Sequence, residues 1–192
     1  AILSDMSLFD DLDISPEVFR TDSLNPLMAL GKAKNSAFRK RIVELLSESN
    51  VQHKEQSWHF LHPMEKVEML LPVKIGDYTD FYSSMEHARN VGTMFRDPDN
   101  ALLPNWKHIP VGYHGRASSI IVSGKDIYRP CGQTMPLDAD APVYGPTARL
   151  DFELEMAFVI GQSTDLGDTV STEQAEDYIF VLFFRQFIGL IF

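Results

Sequence analysis

The sequence predicts a mainly β chain with some helix, an α+β class, and three patterns carry that reading. From Leu150 to Ile160 every even position is large and apolar, and a period of two is the signature of a strand. Between Met69 and Pro146 short apolar runs are broken by glycine, proline and aromatic residues, the texture of short strands joined by turns. Helical spacing shows earlier, where Phe38, Ile42, Leu45 and Leu46 recur at i, i+4, i+7 and i+8.

In chain order, Ser15-Pro16 and Asn25-Pro26 each set a capping side chain before a proline suited to a first helical turn, so a short helix is expected at each. A longer helix follows from about Ala37, with Arg39, Lys40 and Glu44 off its apolar stripe. His53, His59 and His62 come next beside Trp58; no cysteine or acid completes a zinc pattern with them, so no ligand role is expected. Leu70 to Val73 reads as a short apolar strand, and a boundary there divides residues 1–72 from residues 73–192. Ser83 and Glu86 form a capping box that starts a helix just after Asp80 and Tyr82 and lets it run to about Gly92. Ser119 to Ser123 is expected as a strand, with turns at Ser123-Gly124, Pro130-Cys131-Gly132 and Tyr144-Gly145-Pro146. Ile179 to Phe192 is apolar except at Arg185, Gln186 and Gly189 and is expected as a buried strand or helix, because a membrane span needs about 20 apolar residues.

Composition narrows the class of function. With 44% apolar and 23% charged residues, the chain has the balance of a globular protein. Its 27 acids and 17 bases leave a net charge of −10, which offers no electrostatic footprint for nucleic acid and repels an anionic membrane. A single cysteine, Cys131, makes no internal disulfide, so a reducing cytoplasm is the expected compartment and a small core position the expected setting for that thiol. Ala1 to Ser15 has neither the basic start nor the apolar run of a signal peptide.

Two constellations carry chemistry. Glu153 and Glu155 point to one strand face about 7 Å apart, with Asp151 before them and Ala157 and Val159 continuing that face as apolar residues. Acids approaching a buried region need a cation or a shared proton. A hard divalent ion with oxygen ligands, Mg²⁺ or Ca²⁺, meets that need. The second is Asp77 to Gly92, where Asp80, Tyr82 and His87 gather at one helix start, with Arg96 four residues beyond. A guanidinium there grips a carboxylate bidentately. Between the two lies Asn105 to Arg116, dense in aromatic, imidazole and glycine residues, which has no diagnostic spacing of its own.

Five segments, Asp77-Tyr78-Thr79-Asp80-Phe81-Tyr82-Ser83-Ser84, Met94-Phe95-Arg96-Asp97, Leu103-Pro104-Asn105-Trp106, Pro110 to Ser119 and Leu154-Glu155-Met156-Ala157-Phe158, together resemble the fumarylacetoacetase family in order and spacing. The resemblance covers roughly Ser4 to Phe180. It implies a partial SH3-like β domain over residues 1–72 and a partial β-roll catalytic domain over residues 73–192, working as a cytoplasmic homodimer. It implies hydrolysis of the carbon–carbon bond of fumarylacetoacetate to fumarate and acetoacetate. Carried over, Asp80, Glu153 and Glu155 are metal ligands for Ca²⁺ or Mg²⁺, His87 is the base that activates water, and Tyr82 and Arg96, with Tyr113 less firmly, contact substrate. The chemistry is consistent: a β-diketone chelates a hard cation, and imidazole is the side chain whose ordinary titration lies nearest neutral pH.

The resemblance lapses after Phe180. The family continues into Asn-Asp-Trp-Ser, whereas this chain reads Val181 to Phe192. The expectation is a chain cut at both ends, without the fourth metal carboxylate and without the glutamate that orients the catalytic histidine; Arg185 and Gln186 take no role. Two alternatives follow, a catalytically incomplete product that keeps only a folding or dimer surface, and a hydratase or decarboxylase of 2-oxo acids from the same superfamily.

Overall fold

The computed structural model describes residues 2–191, apart from the side chains of 52, 53 and 184–191. Among the described residues are six α-helices, α1 (Ile2–Asp5), α2 (Asn25–Met28), α3 (Gly31–Leu46), α4 (Val51–Lys54), α5 (Met85–Phe95) and α6 (Thr172–Tyr178), with several 3-10 turns. Six strands among the same residues, β1 (Thr79–Phe81), β2 (Gly112–His114), β3 (Cys131–Thr134), β4 (Val143–Pro146), β5 (Arg149–Ile160) and β6 (Ile179–Ile191), pair as three antiparallel hairpins, β1–β2, β3–β4 and β5–β6. Helices and small antiparallel sheets in one chain agree with the α+β class, but helical residues outnumber strand residues among those described, so the expectation of a mainly β chain is corrected. The chain divides into two compact units: one runs to Val73 and resumes at Ser123, and the other is Lys74–Val122.

The core of the first unit is aromatic and aliphatic. Phe9, Ile14, Leu27, Met28, Leu45 and Val73 are its buried apolar side chains. The rings of Phe9, Phe19 and Phe38 meet pairwise with centroids 4.9 to 5.3 Å apart, within the range in which aromatic pairs attract beyond their area. Phe38 and Leu45 bring α3 onto this cluster along the expected stripe, but Leu46 stays exposed because the helix ends on it. The helix also begins six residues before Ala37. Gly31, at φ +83°, supplies the left-handed link that lets α3 follow α2 almost directly. Arg41 ties the unit further, donating to Leu8 O at 2.7 Å and to both carboxylate oxygens of Asp11 at 2.8 and 2.6 Å.

Several local expectations are corrected. Pro16–Phe19 is a 3-10 turn, and Asn25 lies inside α2 with Leu24 in the N-cap place, so neither Ser15 nor Asn25 caps with its side chain. Leu70 to Val73 forms no strand; Leu24 N–H instead donates to Pro72 O at 2.7 Å, a single tie that leaves the segment as a strap. Ser119 to Ser123 is a 3-10 turn at Ala117–Ser119 and then irregular chain. The turn does fall at Ser123-Gly124, but residues 131–132 and 144–146 lie in β3 and β4, which pair with each other. Cys131 is exposed on β3, not a core residue.

The long hairpin β5–β6 is the largest regular element, with register running from Arg149 opposite Ile191 to Ile160 opposite Ile179 and an irregularity at Val159/Ile160. The tail from Ile179 is therefore a strand, although Val181, Leu182 and Phe183 are exposed and not buried. The link between the strands ends in α6, whose Ser171 and Gln174 make a reciprocal capping box. No helix among the described residues is long and apolar enough to cross a membrane.

Candidate active site

In the Lys74–Val122 unit the site is built on the short hairpin β1–β2. Asp80 lies opposite Tyr113 in the register, so alternation puts the two side chains on one face. There the carboxylate gathers two phenols: Tyr113 Oη donates to Asp80 Oδ2 at 2.9 Å, and Tyr78 Oη donates to the same oxygen. Partial burial, and then the hydrogen bond to Asp80, push the Tyr113 phenol well above its ordinary range, so it stays a donor.

The chain turns from β1 into α5 over Tyr82 to Ser84. Tyr82 N–H donates to Val111 O and the Trp106 indole N–H donates to Tyr82 O, both at 2.8 Å, which fixes the backbone of Tyr82 from two sides. Ser84, not Ser83, is the N-cap: its hydroxyl accepts from His87 N–H at 3.2 Å, and Glu86 is not placed three residues after the cap. The shift by one residue leaves His87 in the first turn. Its ring stacks on Tyr82, with centroids 5.2 Å apart and planes 15° from parallel, and its Nε2 is buried. Asp80, Tyr82 and His87 are all half-buried.

Arg96 follows directly after α5, which continues past Gly92 to Phe95. Its guanidinium is exposed and donates to Ala101 O at 3.2 Å. Gly92 is buried there, and a Cβ on it would fall 2.2 Å from Ala101 O, so only glycine lets the 3-10 turn at Pro98–Asn100 close on α5. On the other face of β1, Thr79 and Phe81 line an open pocket of about 490 Å³ with Leu103, Trp106, Ile109 and Val111. The pocket walls do not include Asp80 or His87.

In the other unit, Glu153 and Glu155 share one face of β5 with Ala157 and Val159, and all four are half-buried. The opposite face carries Phe152, Leu154 and Met156, which are 68, 74 and 57% exposed. The acids thus lie on the more covered side of a strand whose large apolar residues face outward. Among the described residues, neither unit by itself gathers three His, Cys, Asp or Glu side chains into a metal-binding group. The side chains of His53, Arg185 and Gln186 lie outside the described residues.

The residues missed in the sequence are Tyr78, Trp106, Gly92 and Gly115. Trp106 and Gly115 fall in the aromatic and glycine-rich stretch whose generic signal was weak, and Tyr78 sits two residues from Asp80, a spacing that puts it on the same side of an extended chain.

The model of the Fumarylacetoacetate (FAA) hydrolase C-terminal family matches residues 77–184, and that of the Fumarylacetoacetase N-terminal family matches residues 1–72. A fumarylacetoacetase of Dictyostelium discoideum is 50% identical over 187 residues, which cover 95% of this chain and 44% of that protein. One from Rattus norvegicus is 49% identical over 166 residues, 85% of this chain and 40% of that protein. One from Homo sapiens is 46% identical over 186 residues, 92% of this chain and 44% of that protein. The chain therefore spans less than half the length of these relatives.

Proposed function

The chain belongs to the fumarylacetoacetate hydrolase family, and from that premise we propose that it contributes to hydrolysis of the carbon–carbon bond of 4-fumarylacetoacetate, giving fumarate and acetoacetate in the last step of tyrosine catabolism. The observation that carries the proposal is the run of one hairpin into one helix, with Asp80 on β1, Tyr82 stacked on His87 at the helix start and Arg96 at the helix end. This is the order that the family resemblance assigns to metal ligand, substrate contact, base and substrate contact.

In this reading Asp80 in one unit and Glu153 and Glu155 in the other are ligands for Mg²⁺ or Ca²⁺, as the family resemblance assigns them. Each suits a hard ion as a half-buried carboxylate, and both phenols on Asp80 use Oδ2, leaving the lone pairs of Oδ1. When bound, the ion would polarise the attacked carbonyl and favour the enolate of the departing acetoacetate.

The remaining work falls to the chain's own side chains. His87 takes the proton of the attacking water, with its ring orientation set by the Tyr82 stack and its backbone by Ser84. Arg96 spends one N–H on Ala101 O, which aims the fork and leaves its other donors for a carboxylate of the substrate. A partial SH3-like domain, a β-roll on the β5–β6 hairpin, and a cytoplasmic homodimer complete the reading, supported by the family resemblance and by the lone cysteine.

The test follows the ultraviolet absorbance of the diketone on mixing the chain, Mg²⁺ or Ca²⁺, and fumarylacetoacetate. Turnover that disappears with a chelator and with Asp80→Ala supports the proposal. Turnover indifferent to both would sink it.

A further inference from the structure

We propose that Tyr78 is a positioning residue for Asp80, held in place by Gly115, and that its hydroxyl decides which oxygen of the carboxylate meets a cation. This deepens the reading of Asp80 as a metal ligand and rests on it.

The argument starts from lone pairs. A carboxylate has about four acceptor sites, two on each oxygen. Tyr78 and Tyr113 both donate to Asp80 Oδ2, so that oxygen has two strong donors and Oδ1 has neither. Oδ1 is then the oxygen left for a cation. With Tyr78 Oη removed, Oδ2 regains a lone pair and Tyr113 alone restrains the carboxylate about its last torsion, which is broad for aspartate.

The second observation is independent of the hydrogen bond and explains why the phenol points where it does. A Cβ on Gly115 would fall 1.9 and 2.0 Å from Cδ1 and Cε1 of the Tyr78 ring, so the ring lies flat against bare backbone. Gly115 N–H also donates to Tyr78 O at 2.7 Å, one step beyond the last register pair of β1–β2, Thr79 opposite His114. The same glycine thus pins the backbone of Tyr78 and provides the surface for its ring. Tyr78 is half-buried, two residues before Asp80 on the same extended run. Ring, hydroxyl and backbone are each held, and the fixed hydroxyl ends on the carboxylate oxygen.

The experiment uses the full chain with Tyr78→Phe, Gly115→Ala, Asp80→Ala and the Tyr78→Phe/Asp80→Ala pair. Without any metal, urea unfolding midpoints close a double-mutant cycle. Tyr78→Phe is expected to lower the midpoint when Asp80 is present and to leave it unmoved in the Asp80→Ala background. Equal shifts in both backgrounds overturn the proposal. Mn²⁺, a hard divalent probe, is then titrated alone and followed by loss of the free-ion EPR signal. Asp80→Ala should abolish binding, and Tyr78→Phe, which keeps the ring, should weaken it about tenfold, as should Gly115→Ala. Binding by Tyr78→Phe equal to that of the unaltered chain overturns the positioning role and leaves Asp80 as a ligand. Binding unaffected by Asp80→Ala, or absent from the unaltered chain, removes the ligand reading on which the proposal rests, and overturns it whatever the cycle gives.

Discussion

The rings of Tyr82 and His87 lie 5.2 Å apart and 15° from parallel, and one backbone carbonyl, that of Tyr82, is held by the Trp106 indole. Stacking fixes the plane of the imidazole through the ring face and not through a ring nitrogen. In a preparation that hydrolyses fumarylacetoacetate, His87→Ala should lower kcat by about 10²–10⁴-fold, the usual contribution of a general base. Mn²⁺ affinity should stay near that of the unaltered protein. Tyr82→Phe should keep the stack, whereas Tyr82→Ala should cost about 0.5–1.5 kcal/mol of stability beyond lost area. Near-normal turnover by His87→Ala would show that the base lies elsewhere.

Trp106→Phe isolates the indole hydrogen bond. The ring volume is largely kept, but Tyr82 O loses a donor at 2.8 Å. Loss of one such bond is expected to cost about 0.5–1.5 kcal/mol, read from the urea midpoint. Because the freed carbonyl belongs to the residue that stacks on His87, KM for the diketone should rise with it. A stability loss with KM and kcat both unchanged would confine Trp106 to packing.

How far the sequence told this in advance depends on the range of the interaction that decides each element. The β5 strand was legible because period two is local, and it spans Arg149–Ile160, one residue longer at its start than the alternating run. The covered face was legible too, because Ala157 and Val159 continue the face of Glu153 and Glu155, and those four are half-buried; the exposure of Phe152 and Leu154 opposite them was not, since it depends on what packs on the strand. The helix carrying His87 was legible from its capping residues, but Ser83 and Ser84 are equivalent by composition and only the hydrogen bond to His87 N–H separates them. Gly92 reads locally as a helix stop; its use as a packing surface for Ala101 is tertiary. The Tyr113 phenol on Asp80 was illegible for the same reason, because it arrives from 33 residues away.

The pair Asp11–Arg41 sets an acid-side prediction in the other unit. Hydrogen bonds from Arg41 are the largest cause holding the Asp11 carboxyl below its ordinary value of 3.8. A carboxyl depressed in the folded state contributes stability that is present above its unfolded value and lost as pH falls through the folded one. Asp11→Asn should therefore lower Tm at neutral pH, with the gap to the unaltered chain closing as pH drops below about 3.9. Both groups reach solvent, so added salt should narrow the same gap. A Tm difference constant from pH 7 to pH 2 would assign the effect to packing and not to charge.

Gly92→Ala decides between two opposed effects. In an open helix the change gains about 0.5–1 kcal/mol, because glycine loses more freedom on folding. Here the new methyl meets Ala101 O at 2.2 Å and Ala101 C at 2.9 Å. Ala101 is 3% exposed, and its carbonyl cannot give way without opening the turn at Pro98–Asn100. Overpacking costs typically about 1–3 kcal/mol, so the net sign reverses and the urea midpoint should fall. The same shift displaces the acceptor that aims Arg96, so KM for fumarylacetoacetate should rise more than kcat falls. Arg96→Lys, which keeps the charge but loses the fork, should reproduce the rise in KM without the loss of stability. A Gly92→Ala protein more stable than its parent would show that the Ala101 carbonyl is free to move, and Arg96 would then have no fixed support from it.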